Sequence, residues 1–122
     1  MTRIKEEKTI EDRISMEIVV DAYNEAERAM GWYYYLEDKL VFPFEAKCIA
    51  TRATSPLVIG EKVEVKKMAP EAECEHAILV MISWQRRSLA VHLDQLKPSS
   101  ANNETLQAVA DWQYWVKRGY EF

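Results

Sequence analysis

Glycine, proline, cysteine and histidine are all scarce in this sequence of 122 residues, which has 3 Gly, 4 Pro, 2 Cys and 2 His. So little glycine and proline excludes collagen-like, linker-like and low-complexity chains. The longest apolar run, around residues 77–82, is far too short to span a bilayer, so we expect no membrane partner. The charged start of the chain lacks the apolar stretch of a signal peptide, and we therefore expect a cytoplasmic protein.

The few cysteines and histidines form no motif for metal binding or catalysis. Cys48 lies in an apolar, strand-like run and is interpreted as a buried thiol. Cys74 and His76 offer one pair of soft ligands, but a zinc site needs about four, and no second pair accompanies them. The sequence also lacks a nucleophile elbow, a dinucleotide-binding glycine motif and a phosphate-binding loop. We expect no enzyme.

The remaining composition suits one well-packed domain. Apolar residues make up 48% of the chain and charged residues 30%, as in ordinary globular proteins. The 4 Trp, 6 Tyr and 3 Phe are a generous aromatic load for a chain of this length. We predict a charged flexible tail over residues 1–8 and a single domain over residues 9–122.

The N-terminal part has the pattern of an amphipathic helix. Apolar residues recur there every four positions: Ile10, Ile14, Ile18, Ala22, Ala26 and Met30. Thr9, with Asp12 three residues later, has the spacing of a helix start. The pattern predicts a helix over residues 10–29, with Gly31 as its end or as a kink before a second helical piece that reaches Leu36.

The rest of the chain alternates as β-strands do, and then returns to a helical pattern. Strands are predicted within residues 40–50, 62–66, 76–84 and 88–93, followed by one helical turn at 93–96. A final helix follows, with Asn103 as its N-cap and Gly119 just past its end. The predicted fold is α+β: an N-terminal helix or helix pair, a small SH3-like curled antiparallel sheet of about four strands, and a C-terminal helix.

The net charge of −4 is unevenly distributed along the chain. Residues 10–38 contain eight acids and two bases, a local net charge of −6. Nucleic acid is not an expected partner of such a segment, because phosphate binding needs positive charge. The distribution favours a cation.

Three acids of the predicted first helix follow one another at spacings of four residues: Glu17, Asp21 and Glu25. On one continuous helix they lie one above another, and each like-charged pair costs about 0.2–0.5 kcal/mol. A divalent cation converts this repulsion into coordination by carboxylate oxygens. A solvated helix face without any ion is the alternative.

Glu37 and Asp38 form a second acidic candidate, in the turn that is predicted to follow the helix. Adjacent carboxylates and the carbonyls of a bending backbone are the mixture of ligands that Ca²⁺ takes. The spacing is not that of an EF-hand loop. A third cluster comprises Glu71, Glu73 and Glu75, and the sequence leaves open whether these residues, with Glu17, form a second site or only add solubility.

Several blocks of the sequence resemble the cyanobacterial calcium-binding protein family, CcbP. They include Met30-Gly31-Trp32-Tyr33-Tyr34-Tyr35-Leu36, Phe42-Pro43-Phe44, Gln95-Leu96 and Asp111-Trp112, and the resemblance spans residues 9–122. The Met-Gly-Trp block is the most specific of them. His92 is a departure, because the family pattern leads us to expect proline there.

The resemblance implies a small acidic protein that binds Ca²⁺ without an EF-hand and buffers intracellular calcium. It also implies a principal site at the acidic turn, which carries over to Asp38. From position and charge we add Glu37, Asp21 and Glu25 as metal ligands. We expect carboxylates of the turn and of the first helix to converge on the ion, together with backbone carbonyls and water.

An interaction module is the alternative from another functional class. On this hypothesis the domain binds no metal, and an aromatic surface formed by residues 32–35 and Trp84 holds a peptide.

Overall fold

The structure, a computed structural model, describes residues 5–122. The described residues contain three α-helices: α1 (Lys8–Arg13), α2 (Glu25–Lys39) and α3 (Asn103–Lys117). Helix α1 continues into a π-helical turn, Ile14–Ile18. Five strands lie between α2 and α3: β1 (Phe44–Cys48), β2 (Lys62–Met68), β3 (Leu79–Trp84), β4 (Arg87–His92) and β5 (Leu96–Ser100). Two 3₁₀ turns, Glu71–Cys74 and Leu93–Gln95, precede β3 and β5.

The predicted helix over residues 10–29 is wrong, because the chain leaves the helical conformation after Ile18. Asp21 has a φ of 57°, which lies outside the right-handed helical region. A new helix then starts at Glu25, where the side chain of Asn24 accepts a hydrogen bond from the Glu27 amide. The apolar residues at spacings of four therefore belong to two elements rather than to one face.

The predicted signals at Thr9 and Gly31 are wrong as well. Helix α1 starts at Lys8, after Glu7, with no side-chain cap. Gly31 lies inside α2, which continues to Lys39, so it does not end the helix. Its lack of a side chain lets α2 pack closely against the backbone of Ile18, since a Cβ atom on Gly31 would overlap the Ile18 carbonyl oxygen.

The five strands form one antiparallel sheet in the order β4-β3-β2-β1-β5. The sequence predicted about four strands and missed β5, which pairs with β1 through contacts such as Leu96 with Cys48. The predicted helical turn before it is confirmed as Leu93–Gln95. The α+β class with a helix at each end is also confirmed, and the SH3-like curl stays a prediction.

The core lies between the helices and one face of the sheet. Along β1 the side chains of Phe44, Ala46 and Cys48 are buried and alternate with exposed ones, as predicted. The α2 residue Trp32 is fully buried, and its ring centroid lies 5.0 Å from that of Trp112 in α3. These contacts fix α2 and α3 against each other.

Burial of the aromatic block contradicts the predicted aromatic peptide surface. Trp32 has 0% of its surface exposed, and Tyr33 is also buried. Tyr35 and Trp84 are half-buried, and only Tyr34 of this block is exposed. These side chains belong to the core and its border.

The ends of the domain are tied together. Residues 1–4 of the predicted tail lie outside the described residues. Within the described part, the Glu7 amide donates a hydrogen bond to the Tyr114 hydroxyl oxygen at 2.9 Å, so the chain already contacts α3 before α1 begins. Helix α3 is capped by Asn102 instead of the predicted Asn103, while Gly119, with a φ of 83°, ends it as predicted. No helix within residues 5–122 is long and apolar enough to cross a membrane.

Candidate metal centre

Glu37 and Asp38 lie in the last turn of α2 rather than in a turn after it, which corrects their predicted position. Both side chains are exposed. The Asp38 side chain is 77% exposed, and Lys39 is the cation beside it, with Nζ 3.8 Å from Oδ2. The Asp38 carboxylate is therefore accessible to a cation from solvent, although Lys39 lies beside it.

The electrostatic setting of these two acids is unusual for a helix. The C-terminal end of a helix carries a partial negative charge, which favours cations and disfavours carboxylates. The last carbonyl groups of a helix also lack partners within it. Beyond α2, the Leu40 amide still donates to the Leu36 carbonyl, but the Val41 amide donates to Thr105 Oγ1, so the helix stops there. The C-terminal end of α2 thus carries both carboxylate groups and backbone carbonyl groups.

The Glu37 carboxylate also acts on two phenols of α2. Burial raises the pKa of Tyr33, and the Glu37 carboxylate contributes to the increase. The hydrogen bond to Glu71 raises the pKa of Tyr34, and the charge of Glu37 adds to this effect. Both phenols stay neutral near neutral pH, so they add no negative charge to that of the carboxylates.

Asp21 and Glu25 lie at the other end of α2. Asp21 is in the link between the π-helical turn and α2, and Glu25 is the first residue of α2. Glu17 is in the π-helical turn, so the predicted row of three acids on one helix face does not exist. Glu17 instead faces a cleft that Arg13 and Lys39 also line.

The four predicted ligands cannot share one ion. Glu25 and Asp38 are thirteen residues apart in α2, which at the rise of an α-helix separates their backbones by about 20 Å. Ligands of one Ca²⁺ lie within about 2.3–2.6 Å of it. Glu37 and Asp38 therefore lie at one end of α2, and Asp21 and Glu25 lie at or before its other end, as two separate acidic positions.

Glu25 faces acids that lie far away in the sequence. A cleft of about 640 Å³ separates the N-terminal half of α2 from the segment around the 3₁₀ turn Glu71–Cys74. Glu25 lines it on one side, and Glu71, Glu75 and His76 line it on the other. Tyr34 joins the two walls, because its hydroxyl donates to Glu71 Oε2 at 2.8 Å.

None of these positions is a prearranged cage of side chains. Within residues 5–122, no three His, Cys, Asp or Glu side chains lie close enough together to hold a metal ion. An ion at any of them would have fewer than three of these side chains as ligands, and other oxygen atoms would have to complete its shell. Hard oxygen ligands in a flexible arrangement suit Ca²⁺ better than Mg²⁺, which demands near-ideal octahedral geometry.

Comparison with known proteins gives the decisive observation. The model of the CcbP family, described as calcium binding, matches residues 12–116. The chain belongs to the CcbP family of calcium-binding proteins. The crystal structure of Anabaena CcbP is 38% identical over the whole of both chains, with a TM-score of 0.88. A calcium-binding protein in its calcium-binding form is 37% identical over the whole of both chains, with a TM-score of 0.86. None of the curated protein sequences matches significantly.

Membership of the CcbP family confirms the prediction that the bound ion is calcium. Calcium is therefore the ion to consider at these acidic positions. The donor chemistry fits it, since the exposed groups are carboxylates and the backbone at the end of α2 supplies carbonyls. The two cysteines of this CcbP protein are free and buried, which excludes them as ligands on an exposed surface. The family is described by calcium binding and is not a known enzyme family.

A buried ion pair that no sequence pattern indicated joins one acid to one base. Arg13 of α1 donates to both carboxylate oxygens of Asp111, with Nη2 2.6 Å from Oδ1 and Nε 2.9 Å from Oδ2. The Tyr35 hydroxyl donates to Oδ2 at 3.0 Å. Asp111 is only 1% exposed, so this carboxylate links the three helices and is not available to an ion.

Proposed function

We propose that this protein binds Ca²⁺ at the C-terminal turn of α2 and acts as a calcium buffer in the cytoplasm. Asp38 is the principal carboxylate and Glu37 the second. The observation that carries the proposal is the position of two adjacent carboxylates at the negative end of a helix, with Lys39 Nζ 3.8 Å from Asp38 Oδ2. A cation there relieves repulsion among the carboxylates and from the helix dipole.

The composition of this site sets its affinity. Few protein carboxylates and several waters around the ion support a dissociation constant in the micromolar range or weaker. The spacing of the acids is not that of an EF-hand loop, so the ligand set of that loop does not contribute to the affinity.

A second, weaker binding position is proposed at the start of α2, around Asp21 and Glu25. There the helix end carries a partial positive charge, which stabilises the carboxylates and opposes a cation. The facing Glu71 and Glu75 add negative charge across the cleft. We therefore expect Ca²⁺ to bind here only after the C-terminal turn is occupied.

A buffering role is supported by the rigidity of the element that carries the site. A sensor needs an element with two arrangements that the ion can shift between. Trp32 and Leu36 are fully buried, and the Tyr33 hydroxyl donates to the Ala69 carbonyl at 2.8 Å, so α2 is fixed to the core. Ion binding at its exposed end leaves this packing in place.

Two further features support a non-catalytic protein of the cytoplasm. Cys48 and Cys74 are both free thiols, as expected in a reducing compartment. No catalytic motif was found in the sequence.

Calorimetric titration with Ca²⁺ tests the proposal. The protein is stripped with a chelator and titrated with and without millimolar Mg²⁺. We expect saturable heat that survives Mg²⁺, and loss of the tighter event in Asp38→Asn. The matched control is Asp12→Asn, which removes an exposed acid of α1 and leaves that event unchanged. Unaltered Ca²⁺ affinity in Asp38→Asn would refute the assignment.

A further inference from the structure

Two clefts adjoin on the N-terminal half of α2. The cleft of about 640 Å³ beside the 3₁₀ turn Glu71–Cys74 shares Ala26 and Met30 with a second cleft of about 290 Å³ beside the π-helical turn. The two clefts together are here called the α2 groove.

The floor of the α2 groove is apolar and adaptable. Small side chains line it, including Ala22, Ala26 and Ala72, and Met30 lies where the two clefts meet. Methionine packs against differently shaped partners because it is unbranched and polarisable. Val20, in the wall of the smaller cleft, is 53% exposed, and Tyr23, next to Ala22 in the chain, is 81% exposed. Exposed apolar side chains around a depression mark an interaction site.

The rim of the α2 groove carries charge of one sign. Five acids line the two clefts: Asp21, Glu25, Glu27, Glu71 and Glu75. No lysine or arginine within the described residues lines either cleft. None of the five takes part in an ion pair within residues 5–122. A basic ligand is therefore the complementary one.

Hydrogen bonds hold the walls of the α2 groove in place before any ligand arrives. Tyr33 donates to the Ala69 carbonyl at 2.8 Å, and Tyr34 donates to Glu71 at 2.8 Å. Both bonds join α2 to the segment at the opposite wall. A preformed groove costs little to organise on binding.

We propose that the α2 groove docks a basic amphipathic helix of a partner protein. Its apolar side chains, spaced three or four residues apart, enter the floor beside Met30 and Ala26, while its lysines or arginines face the acidic rim. A strand is the less suitable occupant, because no residue of the five strands lines the groove and no free strand edge meets the ligand there. This inference goes beyond calcium binding and does not depend on it.

A synthetic peptide helix with leucine on one face and lysine on the other is the direct probe. Its binding to the full chain is measured by fluorescence anisotropy in the presence of a chelator. The same helix with glutamate in place of lysine is the charge control, and a shuffled order of leucine and lysine is the control for amphipathicity. We expect only the basic amphipathic helix to bind, and we expect salt to weaken it because the rim charges are exposed.

Two variants test whether the peptide binds in the α2 groove. Ala26→Arg fills the floor with a large, positively charged side chain, and Glu75→Lys reverses one rim charge. Both residues are exposed, so folding is expected to survive. We expect affinity to fall about tenfold or more in Ala26→Arg and by a smaller factor in Glu75→Lys. The matched controls are Ala110→Arg on α3 and Glu45→Lys on β1, also exposed positions, which leave affinity within about twofold.

Each other outcome overturns the proposal. Equal binding of the acidic helix would mean an unspecific apolar surface. Binding that neither variant weakens would place the peptide elsewhere. Self-association in sedimentation experiments that Ala26→Arg abolishes, without peptide binding, would assign the groove to a second copy of the chain.

Discussion

Gly31 of α2 lies directly against the backbone carbonyl oxygen of Ile18, at the end of the π-helical turn. A methyl group on Gly31 would overlap that oxygen. Backbone atoms cannot move aside as the end of a flexible side chain can. The absence of a side chain at position 31 therefore allows the N-terminal segment to pack on α2, and it positions Asp21 beside the α2 groove.

Gly31→Ala is expected to destabilise the protein by about 1–3 kcal/mol, because it overpacks this contact. Helix propensity alone predicts the opposite sign, since alanine is favoured over glycine by about 1 kcal/mol inside a helix. Urea unfolding measures the difference. Ala110→Gly, at an exposed position of α3, reports the propensity effect without the contact. A Gly31→Ala protein as stable as the parent would contradict the packing.

Breaking the buried pair of Arg13 and Asp111 should be among the most costly single changes. Asp111→Ala leaves the guanidinium of Arg13 and the Tyr35 hydroxyl without their shared acceptor. We expect a loss of about 3 kcal/mol or more in the free energy of unfolding. A double-mutant cycle with Arg13→Met isolates the pair. Additive losses of stability in that cycle would show that the two side chains do not interact energetically.

Two neighbouring asparagines at the start of α3 have different roles. The Asn102 side chain accepts a hydrogen bond from the Thr105 amide at 2.8 Å, whereas Asn103 is the first residue inside the helix. Asn102→Ala is expected to cost about 1 kcal/mol of stability. Asn103→Ala, one residue along, serves as the control and should have a much smaller effect. Thermal unfolding of both variants measures the two losses of stability. A larger loss in Asn103→Ala than in Asn102→Ala would identify Asn103 as the cap.

Stability should decrease in mild acid because of His92. Burial and the nearby charge of Arg52 lower its pKa below the ordinary value of 6.5, against an opposing contribution from Asp94. The unfolded chain therefore takes up the proton at a higher pH than the folded one, so this stability is present above pH 6.5 and is lost as pH falls below it.

The measurement is the free energy of unfolding at about pH 7.5 and about pH 5.5. His92→Gln is expected to show a smaller decrease between these values than the parent protein. His76→Gln, at an exposed histidine, is the control and keeps the parent's decrease. If His92→Gln loses as much stability in acid as the parent does, another group is responsible.

The parts of the fold that local patterns encode could be predicted from the sequence. The alternation of Phe44, Ala46 and Cys48 in β1 follows from a period of two residues within one strand. The strand β5 could not be predicted in this way, because Lys97, Pro98 and two serines carry no apolar alternation. Its conformation depends on pairing with β1, about fifty residues earlier in the chain. Gly31 was misplaced for a similar reason, since its contact with Ile18 is tertiary.

The same distinction between local patterns and tertiary contacts holds for the candidate site. Glu37 and Asp38 were predicted to follow the helix, and the structure places them inside its last turn, so the helix boundary was misplaced. Their joint role as ligands stays a prediction. The expected convergence with Asp21 and Glu25 failed because it assumed a bend in the chain where α2 is continuous. No local signal places Glu25 opposite Glu71 and Glu75; the packing of the 3₁₀ turn against α2 does so.

Backbone amide chemical shifts recorded during a Ca²⁺ titration test the central claim most directly, because they locate the ion on the chain. The account predicts that the first and largest changes occur in the last turn of α2 and the two residues after it, around Asp38. Changes near Asp21 and Glu25 should follow only at higher Ca²⁺ concentration. First changes confined to the start of α2, or to a region remote from both ends, would contradict it.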